Sequence, residues 1–294
     1  HILKVERLPS IGETLISGSY SFSCGGKGAN QAVAIARLGI CVNMIGKVGE
    51  DKYGDLLVEN LSKSNVMVDG VIVCKNEKTG AAFITVDRIG NNTIIVAPGA
   101  NHKLLIDDVR GKEKQLEGCD IVVLQMEIPK ETVSYVIKLA KKMGKLVILN
   151  YAPAIDIDRS VLAEVDYLIV NETEFKYLVQ ADFELDRSEI AVNKLKEFFS
   201  GNLVVTLGDK GSVCINPEGK ILKIPSYTAK SADSTGAGDA FIGGFTLGLV
   251  ENKNLGDCAV LGNAAGALAV HKVGAQSSLP YKDELNNFLK HNGN

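Results

Sequence analysis

The chain lacks a strong excess of either charge: 32 Lys and Arg stand against 35 Asp and Glu, for a net charge of -3. That leaves no basic stripe for nucleic acid and no polybasic face for a membrane surface. The six cysteines (Cys24, Cys41, Cys74, Cys119, Cys214, Cys258) form no C-x-x-C pair, which argues against a zinc site and a disulfide-dense module, and they read as reduced thiols. His1, His102, His271 and His291 show no ligand spacing, so each reads as structural or solvent-exposed. No uncharged apolar run approaches the roughly 18 residues of a spanning helix, and no charged-then-apolar leader opens the chain. The cytoplasm is therefore the expected compartment. Two familiar phosphate loops are missing as well: there is no G-x-x-x-x-G-K-[ST], and no G-x-G-x-x-G after the first recognisable strand. No internal repeat, low-complexity tract or long linker interrupts the chain. What remains is 294 residues, 46% of them hydrophobic, enough for a substantial core. Small molecules or other protein chains are the natural partners.

Two rhythms run through the sequence. Glu13 to Ser23 and Thr79 to Val96 alternate apolar and polar residues, the latter with Arg88-Ile-Gly-Asn as a hairpin turn, and together predict a small exposed sheet. Val42 to Val48 reads as a buried strand, and Tyr53 to Ser64 as a helix with Leu56, Leu57 and Leu61 on one face. From about residue 119 short apolar strands (121–124, 146–149, 167–170, 203–207) alternate with helical segments (130–143, 190–199). Such βα alternation predicts a mostly parallel sheet covered by helices on both faces. The expected architecture is one α/β domain over 1–294, with lid strands from about 10–24 and 79–97.

In such a sheet ligands collect beyond the carboxyl ends of the strands. Glu127, Asn150, Asn171, Gly208 and Asp209 follow the apolar runs there. Two glycine-rich stretches stand out beside them. Ser231 to Thr246 is a polar glycine turn running into an apolar helix. Gly236, Ala237 and Gly238 leave backbone N–H groups free to approach an anion at a helix start, and Asp239 is placed to take a proton. A helix cap with Asp239 favouring the dipole is the plainer reading of the same residues. Gly25 to Asn30 is a second close-approach turn, with Lys27 and Asn30 as polar hooks, leading into an alanine-rich helix that stops at Gly39.

Gly-Gly-Lys-Gly-Ala-Asn-Gln-Ala at 25–32 and Asp-Ser-Thr-Gly-Ala-Gly-Asp-Ala-Phe at 233–241 closely resemble the two signatures of the ribokinase (PfkB-type) sugar kinase family, in the family's order and spacing. Gln125-Met-Glu127, Asn171-Glu-Thr-Glu174, Thr206-Leu-Gly-Asp-Lys-Gly211 and Gly274-Ala-Gln-Ser-Ser278 extend the resemblance over nearly the whole chain. It implies a three-layer α/β/α fold with a small β-sheet lid, and transfer of the ATP γ-phosphate to the 5-hydroxyl of D-ribose. It implies Asp239 as the base, with Gly236, Ala237 and Gly238 as the anion hole. Phosphoryl transfer needs mostly positioning and charge stabilisation, so these groups suffice. An aspartate at a helix start is expected to have its ionised form favoured.

The same resemblance implies a sugar grip by Gly26, Lys27, Gly28, Asn30 and Glu127. It places Asn171, Thr206, Gly208, Gly211, Gly238 and Asn263 at the nucleotide, although Asn171 with Glu174 also forms a capping box. Mg²⁺ would enter with ATP, linked through water to Glu174. K⁺ would sit at Asp233, Thr235, Ala269, Lys272, Gly274 and Ser278, mostly on backbone carbonyls. A homodimer through the lid is implied too.

One departure stands out. The family carries Asn-x-Asp at the end of a first strand, and His1 falls directly after that aspartate. The sequence is therefore expected to be a truncated form that misses a central strand and a ribose contact, with weak or no activity until these are restored. Alternatives are a kinase of another small sugar or nucleoside (deoxyribose, fructose, adenosine) and a sugar- or nucleotide-sensing homologue that binds without turnover.

Overall fold

The computed structural model describes residues 1–180, 188–229 and 232–292. Ser231, at the head of the second glycine-rich stretch, lies outside them. The first third of the chain contains β1 (Ile2–Lys4), β2 (Ser19–Ser21), α1 (Lys27–Arg37), β3 (Val42–Gly49), α2 (Lys52–Lys63), β4 (Val66–Cys74), β5 (Ala81–Val86) and β6 (Asn92–Ala97). Then come α3 (Ile106–Arg110), α4 (Glu113–Glu117), β7 (Ile121–Leu124), α5 (Lys130–Lys142), β8 (Leu146–Asn150), α6 (Arg159–Leu162), β9 (Tyr167–Asn171), α7 (Glu172–Val179) and α8 (Ser188–Lys196). The last third holds β10 (Asn202–Thr206), β11 (Ser212–Ile215), β12 (Ile221–Ile224), α9 (Ala237–Val250), α10 (Leu255–Ala269) and α11 (Lys282–Asn292).

The main sheet has six strands in the order β12-β11-β10-β9-β8-β7. β7 to β10 run parallel, while β11 and β12 are antiparallel additions. Its central strands are apolar on both faces because both are covered. Val147 and Leu149, Leu168 and Val170, and Leu203 and Val205 join α5 to α8 in one core. The intervening Ile148, Ile169 and Val204 face Phe241, Ile242 and Phe245 of α9 and Ala259 of α10 in another. This is the expected three-layer α/β/α arrangement, with continuous apolar runs explained by two-sided burial. β3 and β4 form a separate parallel pair. It is irregular between Asn43 and Ile45, where Gly70 lets the backbones approach so closely that a Cβ would lie 2.4 Å from the Met44 carbonyl oxygen. Among the described residues, no helix is long and apolar enough to cross a membrane.

The small sheet differs from expectation in its membership. It has four strands in the order β2-β1-β5-β6. The β5–β6 hairpin is as predicted, its turn closed by Asp87, which accepts N–H bonds from Ile89 and Asn91. Glu13 to Ser23, however, is a strand only at Ser19–Ser21. At its start Glu13 is held by an ion pair with Arg7, directly after a turn through Gly12, whose φ of 79° breaks extended pairing. The centre of the sheet is β1, which pairs with both β2 and β5. Three residues are too few for a period-two signal. The His1 ring stacks on Phe83 at 5.1 Å and meets Tyr53 edge-on at 5.4 Å, so it is structural.

The small sheet is tied to the core through Asp51. This residue caps α2 by accepting from the N–H groups of Tyr53 and Gly54, and also accepts from the Thr79 N–H and hydroxyl just before β5.

Candidate active site

The second glycine stretch forms the start of α9. Gly236 adopts φ 82°, a conformation that disfavours side chains, and a Cβ there would lie 3.1 Å from the Ala275 carbonyl oxygen. Helical bonding begins with the Ala240 N–H donating to Gly236. The N–H groups of Gly238 and Asp239 find no acceptor among the described residues, and a Cβ on Gly238 would meet nothing within 4 Å. Free, uncrowded N–H groups at the positive end of a 14-residue helix make an anion site.

Small residues draw α9 tightly against its neighbours. A Cβ on Gly243 would lie 2.8 Å from the Ala34 Cβ of α1, and one on Gly244 would lie 2.3 Å from the Leu261 carbonyl of α10. This packing carries Asp239, one turn before Gly243, into the interior, where it is 7% exposed. Across from it, α1 presents two buried amides among its alanines. Asn30 Nδ2 donates to Asp239 Oδ2 at 2.8 Å, and Gln31 Nε2 donates to Asp239 Oδ1 at 2.9 Å. Asn30 Oδ1 is buried with no partner, an acceptor left over for something else. At the start of α1, the Lys27 N–H donates to Glu127 Oε2 at 2.8 Å, so the glycine turn and the end of β7 close on each other.

Burial dominates the electrostatics. It pushes the Asp239 carboxyl above its ordinary value, against the opposing pull of the Lys27 charge and the Gln31 and Asn30 amides. The expectation that a helix start would favour the ionised form is thus corrected: desolvation raises the carboxyl by more than Lys27 and the two amides lower it. Glu127 is raised for the same first reason, with Lys27 lowering it and Asp239 raising it further. Two carboxyls and one lysine therefore form one coupled group.

The remaining positions cluster around the same strand ends. Asn171 and Glu174 form the reciprocal capping box of α7, each bond 2.8 Å. Thr206 Oγ1 donates to the Val170 carbonyl, and the tight turn after β10 uses Gly208 and Gly211 at φ 60° and 94°. Asn263 Nδ2 donates to the Ile224 and Pro225 carbonyls, tying α10 to β12. Against the upward push of burial, hydrogen bonds from Gly274 and Thr235 hold Asp233 below its ordinary value and join the turn before α9 to the loop after α10. Ser278 is buried and donates to the Ala275 carbonyl, whereas the Lys272 ammonium pairs with Glu284. Ala269 is buried in the last turn of α10. A groove of about 350 Å³ lined by Lys141, Asp166, Tyr167 and Asn202 lies at the amino ends of β8 to β10 and contains none of these residues.

Two residues given no role at the outset, Gln31 and Gln125, complete the site together with Asn150 at the end of β8. Gln31 also donates to Asn150 Oδ1 at 3.0 Å and accepts from Gln125 Nε2 at 2.6 Å. Gly28, expected to touch sugar, makes room for Gln125: a Cβ there would lie 3.0 Å from its Oε1. The available signal was a pair of amides at consecutive positions on an otherwise alanine-rich helix.

A buried carboxylate faced by amides behind a free helix start, at the carboxyl ends of a parallel sheet, places an anion site beside a group able to take a proton, the pairing that phosphoryl transfer to a small molecule requires. Comparison with known proteins agrees. The model of the pfkB family of carbohydrate kinases matches residues 1–282. A ribokinase of Haemophilus influenzae is 36% identical over 99% of this chain and 95% of its own length. A deoxyribokinase of Salmonella typhi is 33% identical over 99% and 95%. The structure of an Arabidopsis thaliana ribokinase complexed with ribose and ATP is similar with a TM-score of 0.90 and 33% identity, covering 98% of this chain and 95% of that one. The chain belongs to the pfkB family of carbohydrate kinases.

Proposed function

We propose that this chain transfers the γ-phosphate of ATP to the 5-hydroxyl of D-ribose. The observation that carries the proposal is the pairing of Asp239 with the free N–H groups at the start of α9. Asp239 takes the hydroxyl proton, and the N–H groups stabilise the negative charge on the transferring group, where fixed donors act without reorganisation. A raised carboxyl is a stronger base once ionised. Lys27, Asn30 and Glu127, with the backbone of Gly26 and Gly28, hold the sugar hydroxyls, and the unpaired Asn30 Oδ1 is an acceptor available to one of them.

Asn171, Thr206, Gly208, Gly211 and Asn263 border the nucleotide. Mg²⁺ bound with ATP would neutralise phosphate charge. Glu174 fits a water-mediated link to it, because only its Oε2 is used in the capping box. Asp233 and the carbonyls of Thr235, Ala269, Lys272, Gly274 and Ser278 offer an all-oxygen donor set, which suits K⁺. The small sheet acts as a lid and as the contact of a homodimer. Its Tyr20, Phe83 and Ile95, on one face by the strand register, are 46–70% exposed, an apolar surface suited to a second copy. The cytoplasm is the proposed compartment.

The similarity to a deoxyribokinase supports a second reading, in which 2-deoxyribose is the substrate. ADP release measured across ribose, deoxyribose, fructose and adenosine, with and without K⁺, separates the two. Ribose is expected to give the highest kcat/KM. Preference for deoxyribose, or turnover with none of the sugars, would overturn the proposal.

A further inference from the structure

We infer that Gln31 is a positioning residue for the base: its carboxamide fixes the Asp239 carboxylate for proton transfer, and Gln125 in turn fixes Gln31. The inference rests on the kinase reading above, in which Asp239 is that base. Gln31 is 1% exposed on the α1 face that meets α9. Both polar atoms of its amide have partners: the nitrogen serves Asp239 Oδ1 and Asn150 Oδ1, and the oxygen accepts from Gln125. Turning the amide over would set its oxygen against two other acceptors, so only one orientation is stable. Gln125 is confined beneath Gly28. Asn30 serves the other carboxylate oxygen but keeps its own buried Oδ1 unpaired, so Asn30 has an atom left for substrate and Gln31 has none. The two neighbouring amides thus divide the work, one touching substrate and one holding the base.

The donor is neutral, and its surroundings show why that matters. The charged groups around Asp239 are Lys27 at the start of α1, which lowers it, and Glu127 after β7, which Asp239 raises. Asn150 of β8 is neutral, residues 274–278 carry no titratable side chain, and α10 brings Asp257 and Cys258 only to its far end, beside Gly248. A further cation would depress the base, and a further anion would keep it protonated. An amide orients it while adding no charge.

Two variants, Gln31→Met and Gln31→Glu, test this against the parent chain. For Gln31→Met the kcat for ribose phosphorylation should fall about 10- to 100-fold, as expected for a misplaced catalytic group. The acid limb of the kcat profile should move up by about one pH unit, because a hydrogen bond to the ionised form is lost. ATP KM should stay within about twofold, since binding and catalysis separate in this way. Gln31→Glu keeps the shape, sets a second carboxyl against Asp239 and should move the limb up further. It carries the same test if the Met variant does not fold.

A readout without turnover is Tm against pH, with and without Asp239→Asn. Burial holds the folded Asp239 carboxyl above its ordinary 3.8, so its stability contribution is full below that value and lost as pH rises through the folded one. Without the Gln31 donor the folded value rises further. The Tm deficit of Gln31→Met should therefore widen as pH rises from the parent's folded value, itself above 3.8, through the higher one of the variant, and only while Asp239 is present. A lower kcat with an unmoved limb, or a deficit independent of Asp239, means that Gln31 merely packs and overturns the inference. If the parent releases no ADP with any sugar, the kinase reading fails, and the Tm comparison still decides whether Gln31 supports the ionised Asp239.

Discussion

Gly243→Ala tests whether the closeness of α1 and α9 is what makes the site work. Gly243 lies one turn after Asp239, and Ala34 one turn after Asn30, so the two contacts belong to the same helix seam. A methyl at Gly243 would sit 2.8 Å from the Ala34 Cβ. Ordinary carbon contacts lie at about 3.5–4 Å, so the helices must part by roughly 1 Å. Shared along the seam, that displacement stretches the 2.8 and 2.9 Å bonds from Asn30 and Gln31 to Asp239 toward their limit. Overpacking costs about 1–3 kcal/mol, while replacing a helical glycine by alanine returns about 1 kcal/mol. The net change in stability is therefore about 0–2 kcal/mol, or a few degrees in Tm at roughly 2–4 °C per kcal/mol. The rate should suffer more: a misplacement of this size costs about 100-fold in kcat. Steady-state ADP release beside a thermal melt measures both. The double variant Ala34→Gly/Gly243→Ala moves the methyl across the seam and should recover at least about fivefold of the lost kcat, in proportion to the restored spacing. Parent-like kcat in Gly243→Ala, or no recovery in the double variant, would refute the reasoning.

Other expectations follow from individual groups. Glu127→Gln keeps an acceptor for the Lys27 N–H but removes the charge, so ribose KM should rise about tenfold with a smaller change in kcat. Because Glu127 and Asp239 repel each other's ionised forms, the acid limb should move down, opposite in sign to the Gln31 variants, and a pH–rate profile reads it. Asp51→Ala removes the α2 cap and the tie to Thr79, at a cost of about 1–2 kcal/mol. Burial pushes the Asp51 carboxyl up, but its four hydrogen bonds outweigh that and hold it at about 2, against an ordinary 3.8. Its contribution is thus present above the ordinary value and lost as pH falls toward the folded one, so the Tm difference from the parent should vanish in strong acid.

The sequence made the two glycine turns, the βα rhythm and the β5–β6 hairpin legible, because each depends on residues close together in the chain. Gly236 and Gly26 sit at positive φ, and Asp87 organises its own turn. The titration of Asp239 was not legible. A helix start argues for a favoured anion, and only the approach of α1 and α10 to Gly243 and Gly244 shows that burial wins. Gln31 stood inside a recognised motif, yet nothing local distinguishes an amide that holds a base from one that faces solvent. Its partners, Asn150, Gln125 and Asp239, are far away in sequence. β1 escaped for a simpler reason: its register is set by β2 and β5, on either side of it.

The most direct measurement is ribose-dependent ADP release by the parent chain and by Asp239→Asn, which keeps the size of the side chain and removes its ability to take a proton. The parent should turn over, and the variant should lose about 10²- to 10⁴-fold in kcat, the usual contribution of a positioned base. Turnover retained in Asp239→Asn would remove Asp239 from the reaction and contradict the account.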